Sequence, residues 1–248
     1  MLNPKQVFEH MLRLQADLLF PMELCLYQSK TWQSAQQVLD FGCGNAHYTS
    51  LLKNAFPQKK YTGIDIDADL LGFGQERYGN EITLIHGGTE KLPLDYYFDF
   101  ILVRLVSLHL PDRSILYNLA KKHSKAGAGV VVVDVDDDLT KIEPLPNGIS
   151  KVLSDLKISG SHNREQRKLI TQEWADAGFQ KTQETQIIIN SDMLGYREKM
   201  FLYLLRMVEI GCGGALTPKL LSELLEWIWQ PSAYVQVGMF GAVFQKDD

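Results

Sequence analysis

The sequence is poor in several features that mark specialised chains. Its 248 residues include only three cysteines. Cys25, Cys43 and Cys212 are an odd number with no paired metal-ligand spacing. A disulfide framework is therefore not expected, and a reducing cytoplasm is the natural compartment. No apolar run approaches the roughly 18–20 residues needed to span a bilayer. The opening stretch MLNPKQVFEHMLRLQADLLF mixes charges among its apolar residues, unlike a signal peptide. The chain also lacks a basic cluster, and its net charge is −5. Lys59-Lys60 and the stretch Lys121 to Lys125 read as helix ends, where the macrodipole favours cations. Nucleic acid and membrane are thus not expected partners. No repeat, low-complexity tract or linker divides the chain.

What is present is a substantial apolar fraction, 45% of residues, with a change of rhythm along the chain. Residues 5–20 place Phe8, Met11, Leu12, Leu18 and Leu19 at helical spacing, and Pro21 predicts the end of that helix. A second helical stretch is expected over about 22–32. Strand and helix then alternate from QQVLDF (36–41) through YTGIDI (61–66), ITLIHG (82–87) and FDFILVRLV (98–106) to AGVVVVDV (128–135). Such apolar strands suit burial on both faces, the pattern of a doubly wound, mostly parallel α/β sheet. After Asp138 a loop with Pro144, Pro146 and Gly148 is expected, then a helix over 164–179 and a sixth strand over 182–190. Helices over 196–210 and 217–229 precede a final strand, for seven strands in all.

The segment VLDFGCGNAHYTSLL runs from strand to turn to helix, the geometry in which backbone N–H groups face a ligand. A dinucleotide fingerprint needs Gly-x-Gly-x-x-Gly. Counted from Gly42, the third glycine falls at 47, where His47 stands. Asp40 at the strand end would also repel a pyrophosphate. It suits a ligand carrying a sulfonium and an ammonium group, so the residues point to S-adenosylmethionine (SAM). Asp65 ends the second strand close to the ~20-residue offset at which a carboxylate meets a ribose diol.

At this level of detail the chain resembles the class I SAM-dependent methyltransferases, particularly their small-molecule branch. The resemblance covers roughly residues 36–140 through LDFGCGNAHYT, YTGIDIDADLL, HGGTEKLPL, FDFILVRLVSLHLPD and AGVVVVDVD, in the family's order. It implies a Rossmann-like fold and one SAM-dependent methyltransferase domain over 1–248. Within it, 1–35 would be a helical cap, 36–140 the SAM-binding core, and 191–232 a helical lid or substrate wall. It implies that Asp40, Gly42, Gly44 and the Cys43 backbone hold the methionine moiety, that Asp65 binds the ribose and that Ile66 packs on the adenine. Thr89 and Glu90 would lie at the adenine edge, beside Gly88, where relatives often carry an acidic residue. Arg104 and Leu105 would border the methionine end. Ala46 replaces a glycine common in the family and is read as fitting a helix start.

Other candidates carry alternatives. His47 is read as a hydrogen-bond donor to the SAM carboxylate or as a helix-start residue facing water. His109, just beyond the fourth strand, is a candidate general base, a pocket-lining residue or plain structure. A base is needed only if the acceptor loses a proton on attack. The acidic run Asp134, Asp136, Asp137 and Asp138 reads as a solvated loop, with Asp134 a candidate substrate contact; no metal is expected. Tyr196, Met200 and Tyr203 share one helix face that is either core or substrate wall. Tyr27 and Trp32 belong to the N-terminal segment expected to close over SAM. The expected activity is methyl transfer from SAM to a small molecule such as a secondary metabolite or cofactor intermediate. The alternative is a SAM-binding protein of the same fold that transfers no methyl, cyclase-like or regulatory.

Overall fold

A computed structural model of the chain describes residues 2–160 and 166–247. The N-terminal stretch folds as α1 (Pro4–Glu23). The Asn3 side chain accepts from the Gln6 N–H, and the Gln6 side chain accepts from the Asn3 N–H. This reciprocal cap satisfies two otherwise orphaned donors. The expected stop at Pro21 is not observed: α1 passes through it and continues into a 3-10 turn over Leu24–Tyr27. Proline forfeits one backbone hydrogen bond there. Packing on both sides outweighs that loss, with Leu18, Leu19 and Leu26 in the core and Glu23 buried in an ion pair.

The short helix α2 (Lys30–Ser34), capped by the Ser29 hydroxyl, leads into the alternating region. There follow β1 (Gln37–Phe41), α3 (His47–Ala55), β2 (Lys60–Asp65), α4 (Ala68–Tyr78) and β3 (Thr83–His86). Next come β4 (Phe98–Arg104), α5 (Ser114–His123) and β5 (Ser124–Val135). These five strands pair in parallel in the order β3-β2-β1-β4-β5. Alternate residues of the same strands feed two cores. Leu102, Val131 and Val133 pack on the face that holds α1, and Ile101, Val103, Val130 and Val132 on the other. Burial on both faces explains why the central strands read as continuous apolar runs, whereas the edge strand β3 has no fully buried residue.

The chain continues through β6 (Lys141–Glu143), α6 (Asn147–Gly160), α7 (Gln166–Asp176), β7 (Phe179–Asn190), α8 (Arg197–Gly211), α9 (Pro218–Ile228) and β8 (Tyr234–Lys246). β8 runs antiparallel to β5 on one side and to β7 on the other. Two differences from expectation appear here. The three-residue β6 adds an eighth strand, pairing with the start of β8. The loop expected around Pro144 to Gly148 gives way at Asn147 to α6, whose Ile149 is buried in the core. Pro146 and Gly148 punctuate the entry to a helix rather than a loop, since proline is tolerated before the first turn. The start of the helix expected over 164–179, Arg164 and Glu165, lies outside the described residues.

Among the described residues no helix is long and apolar enough to cross a membrane. The strand order reverses between β1 and β4, so their carboxyl ends border a crevice. In an open α/β sheet this is where ligands bind.

Candidate functional site

The crevice is a cavity of about 440 Å³, within the ~300–1,000 Å³ usual for small-molecule sites. Its floor is the turn between β1 and α3. Gly42 and Gly44 adopt φ of 75° and 55°, a region where side chains are strained. A Cβ on Gly42 would also fall 2.3 Å from Val106 Cγ2. The Gly42 and Cys43 N–H groups donate to the Ile64 carbonyl at 2.8 and 3.1 Å, which folds the turn back onto β2. Asp65, ending β2, is held from both sides. Its Oδ2 accepts from the Gly44 N–H at 2.7 Å and its Oδ1 from the Asp67 N–H at 2.8 Å. Each oxygen keeps a second lone pair for a ligand hydroxyl. Beside it Ile66 lines the cavity with 78% of its surface exposed, an apolar face left for a ring to cover.

Asp40 lies across the turn, 3% exposed, with Thr49 Oγ1 donating to its Oδ2. Burial pushes its carboxyl up to about 6; the Thr49 hydrogen bond and Arg104 pull the other way. An anion kept out of water with only part of its charge compensated favours a cationic ligand. Arg104 ends β4 on the opposite bank. Its Nε and Nη2 donate to the Glu23 carboxylate at 2.9–3.2 Å, and its guanidinium lies 4.3 Å from the centre of the Tyr48 ring. Burial works against the Arg104 charge, but Glu23 more than offsets it and holds the group protonated. Tyr48 and Tyr27 share a 2.8 Å hydrogen bond beneath this pair, and burial pushes both phenols up.

The roof is α1. Phe8, Leu12, Gln15 and Ala16 fall on one helical face and line the cavity. Glu9 ties that helix to the turn, accepting from Asn45 Nδ2 at 3.2 Å while paired with Arg77.

The cavity thus gathers Asp40, Gly42, Cys43, Gly44, Asp65 and Ile66 with Gly88, Arg104, Leu105 and His109. It omits several other candidates. His47 is committed elsewhere: Nδ1 bonds the Tyr78 hydroxyl at 2.8 Å and Nε2 the Asp17 carboxylate at 2.7 Å, so it neither reaches the cavity nor faces water. Thr89 and Glu90 form a turn outside it, the Glu90 carboxylate accepting from the Gly88 N–H at 3.1 Å. Asp134 is fully buried and accepts from the Leu108 N–H at 3.1 Å, so it braces the turn that presents His109. Met200 is fully buried in α8, which packs on α1 and α6. Tyr203 accepts from Gln15 Nε2 at 3.1 Å, and Tyr196 packs at the core's edge. None of these three lines the cavity; α1 forms the wall expected of the late helices. Tyr27 and Trp32 are likewise core, not lid.

Ala46 is not a helix-start residue in a helical conformation. It is the N-cap of α3 with φ 56°, and Leu105 takes φ 57° at the end of β4. Two side-chain-bearing residues in the left-handed region flank the cavity, each at a cost of ~1–2 kcal/mol. Glu23, Tyr48, Asn45 and Gln15 went unrecognised in the sequence. No local pattern joins Glu23 to Arg104, 81 positions away. Among the described residues no group of three or more His, Cys, Asp or Glu is placed to hold a metal ion.

These features fit SAM: a turn open to close approach, a held carboxylate for a diol, an apolar rim residue and a buried anion for a cation. Comparison with known proteins agrees. Residues 38–127 match the family described as a methyltransferase domain. A malonyl-[acyl-carrier protein] O-methyltransferase of Bacillus cytotoxicus is 30% identical over 100 residues, 40% of this chain and 35% of that one. A trans-aconitate 2-methyltransferase of Afipia carboxidovorans is 30% identical over 42% of this chain and 40% of that one. A fatty-acid O-methyltransferase of Mycolicibacterium smegmatis is 31% identical over 40% and 38%. The alignments therefore span well under half of these relatives' own length. Among solved structures, the Haemonchus contortus phosphoethanolamine N-methyltransferase 2 in complex with SAM superposes with a TM-score of 0.57 at 15% identity. That match covers 99% of this chain and 58% of that one. The YcgJ protein of Bacillus subtilis superposes at 0.56 with 13% identity, over 92% and 99%. At such identities the likeness is one of fold.

Proposed function

We infer that this chain, which belongs to the class I SAM-dependent methyltransferases through its segment 38–127, transfers the methyl group of SAM to a small-molecule acceptor. The observation that carries this reading is the pairing of a buried, poorly compensated Asp40 with a glycine turn and a doubly anchored Asp65 around one cavity. SAM supplies an electrophilic methyl on a sulfonium, which an acceptor lone pair displaces. The chain's part is to bind and orient. Asp40 and the backbone of Gly42, Cys43 and Gly44 would face the amino-acid end, Asp65 the ribose and Ile66 the adenine, with Gly88 at its edge. Leu105 would border the methionine end, and His109 would sit at the mouth where the acceptor enters. Positioning alone can supply much of the rate of such an in-line displacement.

The names of the curated relatives, all methyltransferases of acids or acyl carriers, support a small acceptor. We read the whole chain as one domain. Residues 1–35 supply the roof, 36–140 the binding core, and 191–232 buttress the roof from behind rather than line the site. The net charge of −5 and the three free cysteines support a cytoplasmic enzyme without a nucleic-acid or membrane partner. The test is incubation with methyl-labelled SAM and a metabolite extract. Label should appear in an extracted small molecule; tight SAM binding with no labelled product from any extract would overturn the reading.

A further inference from the structure

Helix α9 is apolar on more than the face it buries. Leu224 and Trp227 enter the core, with Leu220 and Ile228 half-buried beside them. On the outer side Leu221, Leu225 and Trp229 recur every fourth residue, with 39%, 45% and 83% of their surfaces exposed. That spacing stacks them in one stripe along the helix. A helix apolar this far round its circumference is normally buried on both sides. The stripe exposes on the order of 300 Å² of apolar side chain, the size at which a surface patch marks an interaction site. Its flank is polar and carries both signs. Lys219 and Glu226 stand about two turns apart on the same side of the stripe, both exposed. Among the described residues neither has an oppositely charged partner; Glu226 accepts only from the Ser222 hydroxyl, at 2.9 Å.

We propose that this outer face of α9 is the contact surface of a homodimer, in which two copies pack α9 against α9, antiparallel, about a two-fold axis. An axis crossing the helix at Glu223 sets Leu221 against the partner's Leu225 and brings Lys219 within reach of the partner's Glu226. Trp229 then reaches the partner's Pro218, an exposed residue at the start of α9. Every contact is made twice, because a two-fold interface is self-complementary. A stripe with one cation and one anion on the same flank has that property built in. A second copy is therefore the partner whose charges it matches. The area agrees: the stripe is a little under half of the ~800 Å² that each partner gives to a standard interface. Its polar flank supplies the rim. None of these residues lines the cavity, so each copy keeps its own site and the pairing is independent of the methyltransferase reading.

Sedimentation velocity over a concentration series tests this. It compares wild type with Trp229→Glu, Lys219→Glu, Glu226→Lys and the double variant Lys219→Glu/Glu226→Lys. The replaced side chains are all exposed, so the fold is kept. Thermal denaturation checks this, and titration with S-adenosylhomocysteine (SAH) checks that the cavity is untouched. Wild type should sediment as a dimer with a Kd in the micromolar range or below. Trp229→Glu should raise Kd at least about thirtyfold, as expected for an aromatic anchor of an interface. Each single charge reversal sets like charges together twice and should raise Kd about tenfold. The double variant re-forms both pairs and should return Kd to within about threefold of wild type. A wild type that stays monomeric at ~100 μM overturns the proposal, whether or not another protein occupies the stripe. So does a dimer that Trp229→Glu leaves intact, which places the contact elsewhere. A double variant no tighter than the single reversals overturns the antiparallel arrangement and with it the proposal.

Discussion

Replacing Asp40 by asparagine separates what this residue costs the fold from what it does for the site. The two side chains are isosteric, and an asparagine oxygen still accepts from Thr49 Oγ1. What disappears is a carboxyl whose proton affinity is raised from 3.8 to about 6, chiefly by burial. At ~1.36 kcal/mol per pH unit, that shift corresponds to about 3 kcal/mol. The sign follows from the folded protein binding this proton more tightly than the unfolded chain does. The group's contribution is fully present below about pH 4 and is lost as pH rises through 6. At pH 8 wild type therefore carries a buried, poorly compensated charge that the asparagine variant lacks. Urea denaturation of the ligand-free proteins should find Asp40→Asn more stable at pH 8, by up to about 3 kcal/mol, with the difference shrinking towards zero near pH 4. SAM binding should move the other way. It should weaken in the variant, and in wild type it should be about tenfold weaker at pH 5 than at pH 7, because only about a tenth of Asp40 is ionised one unit below its pKa. A variant no more stable than wild type at pH 8, or a SAM affinity indifferent to pH across this range, would refute the assignment.

Three further substitutions test the geometry. Asp65→Ala removes the carboxylate held by Gly44 and Asp67; calorimetry should show SAH binding weakened by ~1.5–3 kcal/mol, the range for a charged hydrogen-bonding group. Ala46→Gly relieves a left-handed φ of 56° and should raise thermal stability by about 1 kcal/mol, since the strain removed exceeds the added freedom of the unfolded chain. Gly42→Ala puts a methyl 2.3 Å from Val106 Cγ2 at a φ of 75° and should destabilise by ~1–3 kcal/mol. Adding Val106→Ala should recover only part of that loss, because the backbone strain remains.

The parallel half of the sheet was legible because its central strands are buried on both faces and its helices on one, so each carries its own period. The same holds for the turn at Gly42–Gly44 and for Asp65, where spacing along one strand-turn-helix unit decides what faces the crevice. Legibility fails where long-range packing overrides a local signal. Pro21 reads as a stop, yet α1 crosses it because Glu23 is fastened to Arg104. Pro146 and Gly148 read as a loop, yet they lead into α6 because Ile149 has a core to enter. His47 begins a helix beside the ligand turn, but partners from α1 and α4 draw it away. The aromatic and methionine face of α8 has the same period whether it meets a substrate or another helix. Here it meets α1, and the cavity wall falls to Phe8, Leu12, Gln15 and Ala16.

The central claim is that the turn opened by Asp40 is built for SAM and not for a dinucleotide. Calorimetric titration of the unmodified chain at pH 7.5 with SAH, and separately with NADH and NADPH, addresses it directly. The structure predicts saturable binding of one SAH per chain and none of either dinucleotide. Binding of NADH or NADPH without SAH would contradict it.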